Sequence, residues 1–290
     1  MGKRPLVSVM VLAYRHSEVI KDALDSIFEQ DYENIELIIS DDCSRDFNRM
    51  EIAEYVQAMN RGNIVHCIIN ENEFNVGSVK HFNKILNMSN GQYLKFLAAD
   101  DALYDTRVIR DFVEFFSKTD ALVVTSQCMI YDEALSEVIA PGISETQQQT
   151  IRNSSTDELY RALTYSSVKC APGACFKREF FDKYGPFDES YRIDEDLPMW
   201  LKISRLGCSI HLMDRVTVKY RIGGISNENT KYTEQSMIWY IEDLLKIWVK
   251  EILPHKELLG NDLWQRLVFE HLRRHEWPLT FSDPAPIKYF

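Results

Sequence analysis

The sequence predicts an α/β fold: a mostly parallel central sheet, doubly wound by flanking helices, followed by a C-terminal helical appendage. Three observations predict it. Short apolar runs and amphipathic helical stretches alternate four times between residues 6 and 130. The early runs are apolar almost without interruption, as in strands buried on both faces, rather than at every second residue. Polar groups close three of them, Tyr14-Arg15-His16, Asp41-Asp42 and Asp100-Asp101. In a doubly wound sheet, ligands bind beyond the carboxyl ends of the strands, near the point where strand order reverses.

Each element has its own reason. Residues 6–12 form the first apolar strand. Ser17 is placed to cap a helix over 18–29, where Val19, Ile20, Ala23, Leu24, Ile27 and Phe28 keep helical spacing. Strand 35–39 leads to Asp41-Asp42, helix 50–59 follows, and strand 63–69 comes next. Helix 76–88 is broken by Asn90-Gly91. Strand 93–97 then runs into Asp100-Asp101, and helix 106–117 precedes strand 121–130.

Beyond residue 132 the alternation stops. Residues 144–155 are polar and Gln-rich and are expected to form a loop. A helix is expected over 157–164, and the small residues of 171–176 predict a closely approached strand or turn. A short helix from Phe180 ends at Tyr184-Gly185-Pro186, and an acidic segment, 188–196, opens a helix over 197–205. Short strands are expected at 209–213 and 216–221, then a loop over 222–229. Residues 233–277 read as helical, with Ile238, Ile241, Leu245, Trp248 and Ile252 on one apolar face. That face is read as packing or a homodimer contact ahead of a peripheral membrane contact. The domain organisation expected is 1–230, split into a ligand-binding half 1–130 and a second half 131–230, then a helical extension 231–290.

Composition excludes several classes. The 290 residues carry 33 Lys and Arg against 44 Asp and Glu, a net charge of −11, which argues against a nucleic-acid partner. The six cysteines form no CxxC pair and read as reduced thiols of a cytoplasmic protein. No run approaches the ~20 apolar residues that span a bilayer. There is no GxGxxG after the first strand, no GxxxxGK[ST] and no GxSxG, so dinucleotide, P-loop and α/β-hydrolase chemistry are disfavoured.

Two adjacent carboxylates at the end of a buried strand repel one another and fit a bound cation. With oxygen ligands and no nearby Cys or His, Mg²⁺ or Mn²⁺ is indicated. The pair alone also fits a helix cap with a solvated neighbour. A cation there would supply the positive charge that a diphosphate needs when no glycine-rich cradle is present.

The ordered motifs resemble a known family. Residues 7–14, Gln30-Asp31-Tyr32, residues 36–39 and Asp41-Asp42-Cys43-Ser44 look like the opening of inverting GT-A glycosyltransferases of family two. Asn75-Val76-Gly77, Asn83, Gly91-Gln92-Tyr93, residues 97–101, Glu195-Asp196 with Trp200, and Tyr220-Arg221 through Ser226 continue it in order. The resemblance covers residues 5 to 228. It implies that Ala13, Tyr14 and Asp42 hold the nucleobase and that Asp100 lies near the ribose and metal. It implies further that Asp101 bridges Mn²⁺ or Mg²⁺ to the donor diphosphate and that Asp196 is the general base. It implies a nucleotide-sugar donor, UDP-linked first, and a saccharide or lipid-linked acceptor. The product would belong to a bacterial surface polysaccharide made at the inner face of the cell membrane.

Two departures stand out. Ala98 replaces the leading Asp of the usual Leu-Asp-x-Asp-Asp, and Ile222-Gly223-Gly224 follows Tyr-Arg where a His is common. The two glycines imply a loop that closes over bound donor. Asp42 as a turn cap, Asp196 as a helix-terminus carboxylate and Trp200 as a core residue are the structural alternatives. A nucleotidyltransferase would show a basic, Gly-rich signature that residues 13–16 lack, and an inactive sugar-nucleotide-binding scaffold would not need Asp100, Asp101 and Asp196 together.

Overall fold

The computed structural model describes residues 4–15, 18–165, 171–222 and 234–275. Strands β1 (Val7–Ala13), β2 (Ile35–Asp41), β3 (Ile64–Glu71) and β4 (Tyr93–Ala98) pair in parallel in the order β3-β2-β1-β4. Between them run α1 (Ile20–Phe28), α2 (Arg49–Met59) and α3 (Ser78–Met88). The order reverses at β1, which pairs with β2 on one side and β4 on the other. The register brings Ala13 level with Asp41, and Leu12 level with Ala98. Three polar strand endings therefore meet at one edge, at the switch point where such sheets bind ligands.

The rest of the sheet is mixed. After β5 (Ala102–Leu103) and α4 (Val108–Lys118) come β6 (Val123–Tyr131) and β7 (Val138–Pro141). Helices α5 (Glu145–Asn153) and α6 (Thr156–Tyr165) follow, then β8 (Cys175–Lys177), α7 (Arg178–Tyr184), α8 (Asp196–Arg205) and β9 (His211–Arg221). Strand β8 lies antiparallel between β4 and β6, and β6 pairs with β9 in parallel. Gly173, before β8, has to be small: a Cβ there would stand 2.1 Å from the Ser126 carbonyl oxygen.

Alternation along β1 and β2 divides the interior into two layers. Val7, Val9 and Val11 with Ile35, Leu37 and Ile39 face α1, α2 and α4, while Met10 and Ile38 face α3 and the second half. The second layer also takes in Ile247, Ile252, Leu259 and Leu267 of the C-terminal helices. These are α9 (Glu234–Ile247), a π-helical turn (Trp248–Ile252), a 3-10 segment (Leu253–Leu258) and α10 (Asn261–His275). No helix among the described residues is long and apolar enough to cross a membrane.

Four expectations are corrected. Residues 144–155 are not a loop: Ser144 and Gln147 form a reciprocal capping box that starts α5, a local signal outweighing the polar composition. The two strands expected at 209–213 and 216–221 are one strand, β9, whose register against β6 shifts around Gln127. Helix α1 begins at Ile20 with Val19 before it and no side-chain cap; Ser17 lies outside the described residues. The apolar face expected of the C-terminal helices holds only in part. On α9, Ile238, Ile241 and Leu245 are exposed, whereas Asp243 and Ile247 are buried; beyond α9, Trp248 packs against the core and Ile252 lies in it, with Glu251 also buried. The loop expected over 222–229 lies outside the described residues after Ile222, as do His16, Cys170 and the helical expectation for residues 233, 276 and 277.

Beneath the ligand edge runs a buried polar network. His81 Nε2 lies 2.7 Å from Ser40 Oγ, which also accepts from Asn70 Nδ2. Asn72 takes Lys84 Nζ and Asn70 on its oxygen and donates to Asp42 Oδ1 at 2.8 Å. Burial pushes His81 down to about 4, with Lys84 adding to the effect and Asp42 opposing it. His81 is therefore neutral in the folded protein at pH values where an unfolded histidine, near 6.5, takes up a proton. Its contribution is complete above 6.5 and is lost as pH falls toward 4, about 3 kcal/mol in all. Urea denaturation between pH 7 and 4.5 should show this loss in the wild type and a smaller one in His81→Gln; equal slopes would contradict it.

Candidate active site

The edge is built from backbone outward. The Asp42 N–H donates to the Ala13 carbonyl at 2.9 Å, and the Ala99 N–H to that of Leu12 at 2.9 Å. Tyr14 follows β1, and the Arg15 guanidinium lies 4.8 Å from its ring centroid. Arg15 and Cys43 both hold left-handed backbone, φ 61° and 67°. Such conformations cost about 1 kcal/mol or more each for non-glycine residues, and they gather where function demands them. The two turns are tied together, because the Arg15 N–H donates to Ser44 Oγ at 2.8 Å. Asp41 shapes the second turn by accepting the Ser44 N–H and hydroxyl, both at 2.6 Å. Burial nonetheless raises the Asp41 carboxyl above its ordinary range.

Asp42 is engaged inside the chain. Its Oδ1 accepts from Asn72 Nδ2 and from the Val76 N–H at 2.9 Å, and its Oδ2 accepts the Gly77 N–H at 3.0 Å. It thus holds the loop Asn75-Val76-Gly77 against the end of β2. Glycine is needed at 77: φ is 86°, and a Cβ would stand 2.9 Å from both the carbonyl oxygen and Cγ of Arg192.

Asp100 and Asp101 stand at the end of β4, 9 % and 4 % exposed. Burial, then the charge of Asp100, raises the Asp101 carboxyl well above the ordinary carboxylate range. Arg221, the last residue of β9, pins the pair. Its N–H donates to Asp101 Oδ1 at 3.0 Å and its Nε to the Asp100 carbonyl at 2.7 Å. Its two remaining nitrogens reach Asp22 Oδ2 and the Glu133 carbonyl. Behind the pair, fully buried Lys95 donates to the carbonyls of Pro172 and Ala174, and burial lowers it to about 8. Among the described residues no group of three or more His, Cys, Asp or Glu side chains could hold a metal. Two carboxylates with no third His, Cys, Asp or Glu grouped with them among the described residues fit a hard cation such as Mg²⁺ or Mn²⁺, which can complete its shell with water and substrate phosphates.

A second acidic group lies at the start of α8. Asp194, Glu195 and Asp196 are half-buried, and burial raises all three carboxyls. For Asp194 and Glu195 the neighbouring Asp196 charge adds to it. Asp196 is held down in part by hydrogen bonding with Asp194 and by the Leu197 N–H, which donates to its Oδ1 at 2.6 Å. The Trp200 indole N–H also stabilises the Asp196 charge, without a hydrogen bond of ordinary geometry. Trp200 itself is 2 % exposed and stacked 5.9 Å from Phe176, so it is a core residue.

Arg192 joins this group to the strand edge. Its Nη2 donates to Asn75 Oδ1 at 3.2 Å, its carbonyl accepts the Val79 N–H, and its guanidinium covers the Trp239 ring at 3.9 Å. A chain of contacts therefore runs from Ala13 through Asp42 and Gly77 to Arg192, two residues before Asp194. Sequence reasoning gave no role to Arg192, Arg221 or Asp243. The readable signals were an arginine closing an apolar strand and, for Asp243, an acid spaced between Trp239 and Ile247 on one helical face.

This sheet and its acidic edge define an α/β protein of the GT-A type. The chain belongs to glycosyl transferase family 2, whose model matches residues 8–185. An uncharacterized glycosyltransferase of Haemophilus influenzae is 26% identical over 271 residues, 91% of this chain and 78% of that one. TuaG of Bacillus subtilis, whose name assigns it to teichuronic acid biosynthesis as a glycosyltransferase, is 23% identical over 82% of this chain and 87% of its own. Among solved structures, S. aureus TarS 1-349 in complex with UDP-GlcNAc superposes with a TM-score of 0.62 at 18% identity, covering 93% of this chain and 72% of that one. The mannosyltransferase PcManGT from Pyrobaculum calidifontis, in complex with GDP-Man and Mn²⁺, gives 0.59 at 16% identity, over 93% and 76%.

Arg221→Lys keeps a charge but cannot span Asp100, Asp22 and Glu133 together. It should lower the unfolding free energy by about 2 kcal/mol in urea denaturation. Wild-type stability would show that the pin carries no load.

Proposed function

We propose that the protein is a metal-dependent, inverting glycosyltransferase. It would move a sugar from a nucleotide-diphosphate donor, UDP-linked first, to a hydroxyl of a saccharide or lipid-linked saccharide. The observation that carries this reading is the pinned, buried Asp100–Asp101 pair at the switch point, on the same sheet edge as Asp42, whose contacts run through Gly77 and Arg192 toward the acids at the start of α8.

Residues 1–130 would bind the donor and residues 131–230 the acceptor, with 231–290 as the helical extension. Ala13 and Tyr14 would receive the nucleobase with Asp42, whose bonds to residues 72–77 support a fixed rather than adaptable wall. Asp100 would lie near the ribose, and Asp100 and Asp101 would hold Mn²⁺ or Mg²⁺. Bound there, the ion supplies Lewis-acid charge against the departing diphosphate.

Asp196 would accept the acceptor's hydroxyl proton. The freed oxygen forms its bond to the anomeric carbon as the bond from that carbon to the diphosphate breaks on the opposite face, which inverts the centre. One base suffices, because the leaving diphosphate needs no proton; a glycosidase must protonate its leaving alcohol. The raised Asp196 carboxyl supports this role, since a base works best with a pKa moved toward the operating pH.

The name of TuaG, which places it in teichuronic acid biosynthesis, supports a polysaccharide product, and synthesis would take place at the cytoplasmic face of the cell membrane. The homodimer or peripheral membrane contact expected of the C-terminal helices would use the exposed stripe Ile238, Ile241, Leu245, Val249 and Leu253.

Asp196→Asn should bind nucleotide like the wild type and lose turnover by about a hundredfold to ten-thousandfold across a panel of nucleotide sugars. The base acts ionised and its pKa is raised, so wild-type turnover should fall with pH at a point above the ordinary aspartate value of 3.8. That limb should vanish from the residual activity of the variant. Wild-type turnover in Asp196→Asn would reject the assignment.

A further inference from the structure

Asp243, on α9, is fully enclosed at 0 % exposure. Its Oδ2 accepts three successive backbone N–H groups: Arg192 at 2.8 Å, Ile193 at 2.7 Å and Asp194 at 3.3 Å. Its Oδ1 accepts Lys246 Nζ at 3.1 Å. Consecutive amides that converge in this way form an anion-binding nest. Here the anion comes from the C-terminal helix, and the segment it grips runs directly into Asp194, Glu195 and Asp196.

Attachment of the helix does not require this carboxylate. Ile247 and Ile252 already sit in the shared core. Lys250 ties the same stretch through Asp188 at 2.5 Å and Ser190 at 2.7 Å, and Arg205 pairs with Glu251 at 2.7 Å. A buried carboxylate is costly unless its hydrogen bonds are specific. What it adds beyond packing is direction. With three amides fixed on one oxygen, the backbone entering α8 has one path, and the acids at its start have one presentation. Without it, three successive N–H groups lose their partner and the segment must rotate to find others.

We propose that Asp243 is a positioning residue for the acid group at the start of α8, so that the C-terminal helix completes the active site. This rests on the glycosyl-transfer reading above, in which Asp196 is the base. Asp243 itself touches no reacting atom. Its loss should lower the rate of the chemical step more than donor binding, because Asp42 keeps its own bonds to residues 72–77.

The test compares full-length Asp243→Ala and Asp243→Asn with wild type at a temperature where circular dichroism shows each folded. Asp243→Ala should lose kcat by about tenfold or more, since small misplacements of catalytic groups are costly. Its affinity for UDP with Mn²⁺ should stay within about twofold of wild type. Asp243→Asn keeps an oxygen for the amides and should recover most of the lost kcat. Amide exchange over residues 190–197 should rise in Asp243→Ala and much less in Asp243→Asn. A purely structural role would lower the melting temperature without changing kcat of the folded protein, and that result overturns the proposal. So does equal loss in both variants with unchanged exchange. If Asp243→Ala does not fold, Asp243→Ser, whose short hydroxyl cannot serve three amides, is read by the same criteria. Wild-type protein that turns over no nucleotide sugar overturns the reaction itself, whereas full kcat in Asp243→Ala overturns only the positioning role.

Discussion

Two carboxylates crowded at the end of one buried strand set the terms for this structure. Asp100 and Asp101 leave β4 with little access to water, and burial together with the Asp100 charge disfavours the charged form of Asp101. The chain offsets part of this from behind. Arg221 spans the pair from β9, and the ammonium of Lys95 lies in the layer beneath. Both supports come from the protein interior. A pair held in this way fits a hard cation, which can complete its shell with water and phosphate oxygens.

The same economy recurs around the site. Asp41, Asp42 and Asp243 each use a carboxylate to gather backbone N–H groups from a loop: residue 44, residues 76–77 and residues 192–194 in turn. Charge-assisted bonds to amides are stronger than neutral ones and fix direction as well as distance. Loops that packing alone would leave free to adapt are thereby held in one shape. This gives part of the chain's acidic excess a structural purpose. It also explains how an edge without a glycine-rich cradle keeps its geometry.

What could be read from the sequence follows the range of the interactions. Strands β1, β2 and β4 were legible because burial on both faces writes itself as an apolar run. Asp100 and Asp101 were legible because the carboxylates follow such a run directly. Helix α5 carried its signal in Ser144 and Gln147, yet the Gln-rich composition concealed it. The face of α9 was misjudged in part because Asp243, a buried acid, looks like a solvent position. The partners of Asp42 stand 30, 34 and 35 residues away, and Arg221 stands 120 from Asp101. No local pattern encodes contacts at that separation. The involvement of Asp42 with residues 72–77, the Arg221 pin and the Asp243 brace therefore emerged only with the fold.

The central claim is that Asp100 and Asp101 present a site for a divalent cation that is completed by a nucleotide diphosphate. Electron paramagnetic resonance of Mn²⁺ titrated with protein, with UDP and with both tests it most directly. The account predicts that the free-ion signal falls far below the UDP-only control when protein and UDP are present together, and that Asp101→Ala restores it. A signal that protein leaves unchanged in the presence of UDP, or that falls equally in the Asp101→Ala variant, would contradict the account.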